Sequence, residues 1–265
     1  VHGWGHHDRQ HPLVRAIYIY LEKLTLPITD KLIAVTTLDI EKGLKDGIGT
    51  PENYVVIRSG IELDRFGHPS VPRTETRKAW GIPLDVPLIG TVTRLSPQKA
   101  PLDFVQAAAK IAEAHPQAWF MMVGDGPLRA EVEASVNASG IADRLVLTGL
   151  RRDVPELMAA FDIFALSSLW EGLPRVLPQA MATGLPIVAT ACDGSAEAVT
   201  DGENGYLVPP GAPDALAERV LHLLDNPALL EQFGVAGQER VAEFSDQRMV
   251  EQIAALYRDL LISRG

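Results

Sequence analysis

Arg94, Lys99, Glu171 and Gln179 are the residues of this 265-residue chain whose types and spacing suit chemistry on a charged, hydroxyl-rich ligand. Arg94 and Lys99 stand in Thr91-Val92-Thr93-Arg94-Leu95-Ser96-Pro97-Gln98-Lys99-Ala100, at an expected strand end and just before an expected helix. Arg brings a planar fork and Lys a mobile point charge, so two such cations aimed at one cleft suit a diphosphate. Glu171 and Gln179 lie eight residues apart across a strand-end loop and a second helical turn, so both can face one ligand. A carboxylate with a carboxamide suits sugar hydroxyls better than a metal.

The segment between them carries a second anion signal. An apolar run, Phe161-Asp162-Ile163-Phe164-Ala165-Leu166, reads as a strand buried on both faces of a parallel sheet. The helix after it is read as starting at Pro174 and stopping before Gly184. Pro178 then predicts a bend in its second turn. No Ser, Thr, Asp or Asn adjoins that start, which leaves the backbone N–H groups of Gly172, Leu173, Arg175 and Val176 open to an anion.

The elements that must position these groups alternate along the chain. Strands are expected at 87–93, 118–123, 144–148, 161–167, 186–190 and 205–208. Helices are expected at 100–114, 127–138, 153–160 and 174–183, with a short one near 195–199. Such alternation predicts a parallel sheet with right-handed crossovers, covered on both faces. Leu216, Val220, Leu223 and Leu224 form an amphipathic stripe, and helices near 227–241 and 246–262 follow. Ligands of such sheets bind beyond the carboxyl ends of the strands, so the loops after residues 93, 123, 148 and 167 are expected to share one cleft.

The first 60 residues offer helices near 13–26 and 38–45 and strands at Lys31–Val35 and Tyr54–Ile57. Two parallel strands leave faces and edges uncovered, so this region is read as the end of a sheet whose opening strands precede Val1. Ser59 to Pro69 is then the hinge between two domains.

Other chemistry-bearing residues have two readings each. Gly124-Asp125-Gly126-Pro127 is a tight turn before a helix or part of the cleft. Leu150, Arg151 and Val154 follow the next strand, where backbone can meet a planar base, and Asp153 reads equally well as a helix cap. Glu197 is a ligand residue or a carboxylate favoured by a helix start. His2, His6 and His7 lack acidic or thiol neighbours other than Asp8, which argues against a metal.

Cys192 is the chain's one cysteine and reads as a small buried thiol, consistent with a reducing, cytoplasmic setting. A net charge of −10 argues against nucleic acid as the main partner. No run approaches the roughly 18 apolar residues of a membrane span.

Taken together, His2-Gly3, Ser59-Gly60-Ile61, Arg94 with Lys99, Gly124 to Pro127, Gly149 to Val154, Glu171 to Met181, Asp193-Gly194 with Glu197, and Asp201 to Gly205 resemble the family 4 (group 1) retaining glycosyltransferases of the GT-B fold. The pieces run in order over nearly the whole chain. The resemblance implies an α/β, GT-B type architecture: two Rossmann-like parallel-sheet domains, the first truncated. Residues 1–62 would be the end of the acceptor-side domain, 63–245 the nucleotide-sugar domain, and 246–265 a helix packing back toward the first.

The resemblance further implies transfer of a sugar from a UDP- or GDP-sugar to an acceptor hydroxyl with retention, metal-independent and without a cofactor, in cell-surface polysaccharide or glycolipid synthesis. His2, Arg94, Lys99 and Glu171 would be catalytic. Gly124, Gly126, Leu150, Arg151, Val154, Gly172, Leu173, Pro174, Arg175, Val176 and Gln179 would bind the donor. A sugar or lipid-linked acceptor is implied, with peripheral contact at the inner membrane face through residues preceding Val1. Alternatives are a nucleotide-sugar binding fragment without turnover and a nucleotide-sugar epimerase of the same fold. Three positions depart from the family pattern: Gln179 replaces its second glutamate, Ser59 its hinge asparagine, and Ala100 the glycine after its lysine.

Overall fold

The computed structural model describes residues 1, 4–5, 10–192 and 194–264, which fall into two compact units. The first comprises the described residues of Val1–Ile61 and Glu243–Gly265, the second Glu62–Ala242. Among the described residues no helix is long and apolar enough to cross a membrane.

In the first unit, β1 (Leu32–Ala34) and β2 (Tyr54–Val56) pair in parallel, Leu32 opposite Tyr54. The Val35 N–H donates to the Val1 carbonyl at 3.2 Å, so the ladder continues on the other side of β1. Helix Pro12–Thr25 carries Leu13, Ile17, Tyr20, Leu21 and Leu24 on its exposed surface. Helix Thr37–Lys45 starts at Thr36, whose hydroxyl accepts from the Asp39 N–H at 3.0 Å. Ile61 bridges to Ser245 ahead of helix Asp246–Arg264. A Cβ at Gly60 would lie 2.3 Å from the Asp246 Cα, so this crossing requires glycine.

Tyr54 ties the unit together, its buried hydroxyl donating to the Ile48 carbonyl at 2.6 Å. Burial pushes its phenol up to about 12, and the Glu22 carboxylate adds to the shift. A raised pKa means the folded state keeps a proton that the unfolded chain releases near pH ~10. The associated stability is therefore complete below that pH and is lost as pH rises toward about 12. We expect Tyr54→Phe to flatten this alkaline loss in urea unfolding of the chain between roughly pH 8 and 12.

The second unit carries β3 (Leu88–Val92), β4 (Trp119–Val123), β5 (Leu145–Gly149), β6 (Ile163–Leu166), β7 (Ile187–Thr190) and β8 (Gly205–Val208). All pair in parallel in the order β5-β4-β3-β6-β7-β8. This is the doubly wound arrangement, and it reverses between β3 and β6. The strands are near-continuous apolar runs because both faces are covered. Ile89, Phe120, Ile163, Leu216 and Phe233 belong to one buried cluster beneath helices Pro101–Ala114 and Pro213–Leu224.

The structure corrects several boundaries. The helix expected from Pro174 runs over Val176–Thr183, ending on Gly184 in a left-handed conformation, φ 78°. Pro178 is therefore its third residue, where no intrahelical partner awaits an N–H, so the bend expected in a second turn has no cause there. Leu63–Gly67 is helical inside the expected hinge, and a further helix at Arg73–Ala79 was not anticipated.

Candidate functional site

A cleft of about 840 Å³ opens beyond the carboxyl ends of β3, β4, β5 and β6 in the second unit. The exit of β3 supplies Arg94 and Lys99, and that of β4 supplies Gly124 and Gly126. Leu150, Arg151 and Val154 come from the exit of β5. Glu171, Leu173, Pro174, Arg175, Val176 and Gln179 come from β6 and the helix after it. The four loops expected to share one cleft do so, on both sides of the sheet's reversal.

Gly172 belongs to the same loop but does not line the cleft. His2, Gly3, His6, His7, Asp8 and Asp193 lie outside the described residues. Val92, Thr93, Val123 and Asp125 line the cleft without having been singled out as ligand residues. Their signal was available, since Val92 and Val123 end two neighbouring strands and Thr93 and Asp125 lie within two residues of those ends.

The charged end is built from two loops. Arg94 is exposed and forms no ion pair among the described residues. Lys99 pairs with the Glu171 carboxylate oxygen Oε1, which also accepts from the Ser168 hydroxyl at 2.6 Å. The Glu171 side chain is 6% exposed and that of Lys99 22%, so the pair sits at the edge of the core, facing the cleft. The loops are stitched by the Leu169 N–H to the Gln98 carbonyl at 2.8 Å and Gln98 Nε2 to the Trp170 carbonyl at 2.9 Å.

Helix Val176–Thr183 has no side-chain cap, and Leu173, Pro174 and Val176 at its start line the cleft. A helix start of this kind favours a negative ligand. At the other end Leu150 is 84% exposed, an apolar surface fit for the face of a planar ring.

Arg151 donates to both oxygens of Asp153, at 2.8 and 2.7 Å, and lies 5.3 Å from the centre of the Trp80 ring. The hydrogen bonds from Arg151 hold the Asp153 carboxyl below the usual carboxylate range, and the same bonds raise the Arg151 guanidinium. Asp153 is thus not the side-chain cap its position suggested, because its oxygens are spent on Arg151.

Both readings of Gly124 and Gly126 hold at once. The Leu95 N–H donates to the Asp125 carbonyl at 3.0 Å, and the Asp125 side chain accepts from the Gly126 N–H at 2.7 Å. A Cβ at Gly124 would lie 1.8 Å from the Thr93 carbonyl oxygen, and one at Gly126 2.4 Å from that of Leu95. The turn therefore presses onto the segment that ends in Arg94. We expect Gly124→Ala to cost about 2 kcal/mol in urea unfolding.

In the matched piece Asp201 to Gly205 the side chains bond to backbone. The Asn204 side chain accepts from the Thr200 N–H at 2.7 Å and donates to the Ala198 carbonyl at 3.0 Å. Asp201 accepts from the Leu207 N–H at 2.8 Å, and Cys192 is buried. Glu197 lies in the short helix Ser195–Ala198 and does not line the cleft.

Comparison with known proteins agrees with this geometry. The chain is 29% identical over its whole length to the UDP-Gal:alpha-D-GlcNAc-diphosphoundecaprenol alpha-1,3-galactosyltransferase of Escherichia coli, covering 69% of that protein. It is 31% identical to the 2-deoxystreptamine glucosyltransferase of Streptomyces kanamyceticus over 88% of this chain and 60% of that one. The structure superimposes on HepE of Anabaena in complex with UDP-glucose with a TM-score of 0.83 and 25% identity, covering 92% of this chain and 68% of that one. The profile of the group 1 glycosyl transferases matches residues 72–240, the span that holds every described wall of the cleft. The chain belongs to the group 1 glycosyl transferase family, with the GT-B fold.

Proposed function

We propose that the protein transfers a sugar from a nucleotide diphosphate sugar to an acceptor hydroxyl with retention at the anomeric carbon. The observation that carries this reading is one cleft holding an exposed Arg94, the Lys99–Glu171 pair and an uncapped helix start, with apolar Leu150 at its far end. The nucleoside base lies along Leu150 and Val154, the diphosphate against Arg94, Lys99 and the helix start, and the sugar at Glu171. Gln179 takes ribose hydroxyls by donating one hydrogen bond and accepting another. HepE binds UDP-glucose, and the E. coli relative uses a UDP-sugar and a lipid-linked acceptor. That favours a UDP-sugar donor and a role in polysaccharide or glycolipid synthesis.

In the step itself the bond between the anomeric carbon and the phosphate oxygen breaks with its electron pair going to that oxygen. The acceptor oxygen bonds to the same face of the carbon, and its proton passes to a phosphate oxygen. Arg94, Lys99 and the helix start stabilise the charge that grows on the leaving diphosphate, so the acceleration is electrostatic and positional. Calorimetry of the protein with uridine and guanosine diphosphates, beside a sugar-transfer assay, tests the reading. Micromolar binding of one of them is expected, and binding of neither sinks the proposal. Binding without transfer would favour the non-transferring module.

A further inference from the structure

Ser167 and Ser168 follow β6 directly, 3% and 0% exposed, and their hydroxyls reach the two charged residues of the site by different routes. The Ser168 hydroxyl donates to Glu171 Oε1 at 2.6 Å, the oxygen that also takes Lys99. No described group donates to Oε2, and Glu171 lines the cleft, so Oε2 is the oxygen offered to a ligand. Ser168 is itself fixed, since the buried Thr190 hydroxyl donates to its carbonyl at 2.6 Å.

Ser167 acts on the other partner. Its hydroxyl lies 2.9 Å from the Ala100 carbonyl and 3.2 Å from that of Lys99. Ala100 has φ 42° and ψ 56°, the one left-handed non-glycine among the described residues. That backbone strains an alanine and persists only where its surroundings fix it. The strained turn determines where the Lys99 side chain leaves the chain.

We infer that Ser167, Ser168 and Thr190 are positioning residues of the site: Ser167 sets Lys99 through the turn at Ala100, and Ser168, pinned by Thr190, aims the open oxygen of Glu171 at the donor sugar. This rests on the donor reading of the cleft. It makes the two serines separable, because one supports the group facing phosphate and the other the group facing sugar.

The test is calorimetry of the full 265-residue chain with uridine diphosphate and with UDP-glucose. Ser168→Ala is expected to leave diphosphate affinity within about 3-fold and to lower UDP-glucose affinity about 10-fold beyond that. Ser168→Thr keeps the hydroxyl and restores the sugar increment, and the nearly isosteric Thr190→Val reduces it about 3-fold. Ser167→Ala is expected to weaken both ligands together, about 10-fold, through Lys99. Equal losses for the two ligands in Ser168→Ala and Thr190→Val, or no loss in either, overturn the inference while the donor reading stands. A parent chain that binds neither these nor guanosine diphosphate overturns both.

Discussion

Lys99→Ala is expected to lower kcat by about 10³-fold, with Arg94→Ala close behind at about 10²- to 10³-fold. On the proposed mechanism each removes a cation placed before the reaction, where it would meet charge that develops only as the diphosphate leaves. Lys99→Ala has a second consequence that Arg94→Ala lacks. Glu171 is nearly buried and keeps only the Ser168 hydroxyl once Lys99 is gone. An unpaired carboxylate at that depth costs an estimated 1–3 kcal/mol, reduced from the fully buried case because the cleft admits water. Exposed Arg94 carries no such cost.

The two effects separate in a double variant. Lys99→Ala with Glu171→Gln should regain most of the lost stability, since no net charge is left stranded, while turnover stays at the Lys99→Ala level or below. Steady-state kinetics on both single variants and the double, beside their urea midpoints, decide the matter. Turnover that recovers together with stability would mean that Lys99 serves only to neutralise Glu171, and near-normal kcat in Arg94→Ala and Lys99→Ala would end the electrostatic account.

Most of the second unit was legible in the sequence because its elements announce themselves. β3 to β8 are apolar runs separated by helices with clear stripes, and Gly184 stops its helix as glycine should. The cleft followed from that pattern, since loops at the carboxyl ends of neighbouring parallel strands must meet. Arg94, Lys99 and Glu171 could be named as a set, because each alone reads as an ordinary surface charge while together they converge on the strand-end cleft.

What stayed hidden depends on contacts distant in sequence. Ser167, at the end of the expected strand, and Ser168 just after it gave no sign of a role, and the bond from Thr190 to Ser168 spans 22 positions. Ala100 stands where the resemblance has glycine, and its left-handed backbone is the conformation glycine adopts without strain. Helix Arg73–Ala79 gave no apolar period because the residues it buries are Thr76 and Arg77. Asp162, set in an apolar strand run, gave no sign of its partner either.

That partner makes Asp162→Ala the most damaging single change expected away from the cleft, at about 3–5 kcal/mol. Arg77 is 1% exposed, and its guanidinium donates to the carbonyls of Ala160 at 3.0 Å, Pro83 at 3.2 Å, Leu84 at 3.3 Å and Val86 at 2.8 Å. Its remaining nitrogen donates to Asp162 Oδ2 at 2.6 Å. That oxygen also accepts from the Leu88 N–H at 2.7 Å, and Oδ1 pairs with Arg73. Burial holds the Arg77 guanidinium below its ordinary range, and Asp162 works against that shift. One carboxylate thus joins the starts of β3 and β6, the central pair of the sheet, to helix Arg73–Ala79.

Removing the carboxylate leaves a buried cation without its counter-charge and a strand N–H without an acceptor, two costs that add at one place. Asp162→Asn keeps one acceptor oxygen for Leu88 and Arg77 but loses the charge and the oxygen that faces Arg73, so about half the effect is expected. Replacing both partners, as Arg77→Met with Asp162→Leu, strands no charge and should fall nearer the parent than Asp162→Ala alone. Urea unfolding followed by circular dichroism reads all three. A loss below about 1 kcal/mol for Asp162→Ala would show that the four carbonyls suffice to hold Arg77, and that the pairing of β3 with β6 does not depend on it.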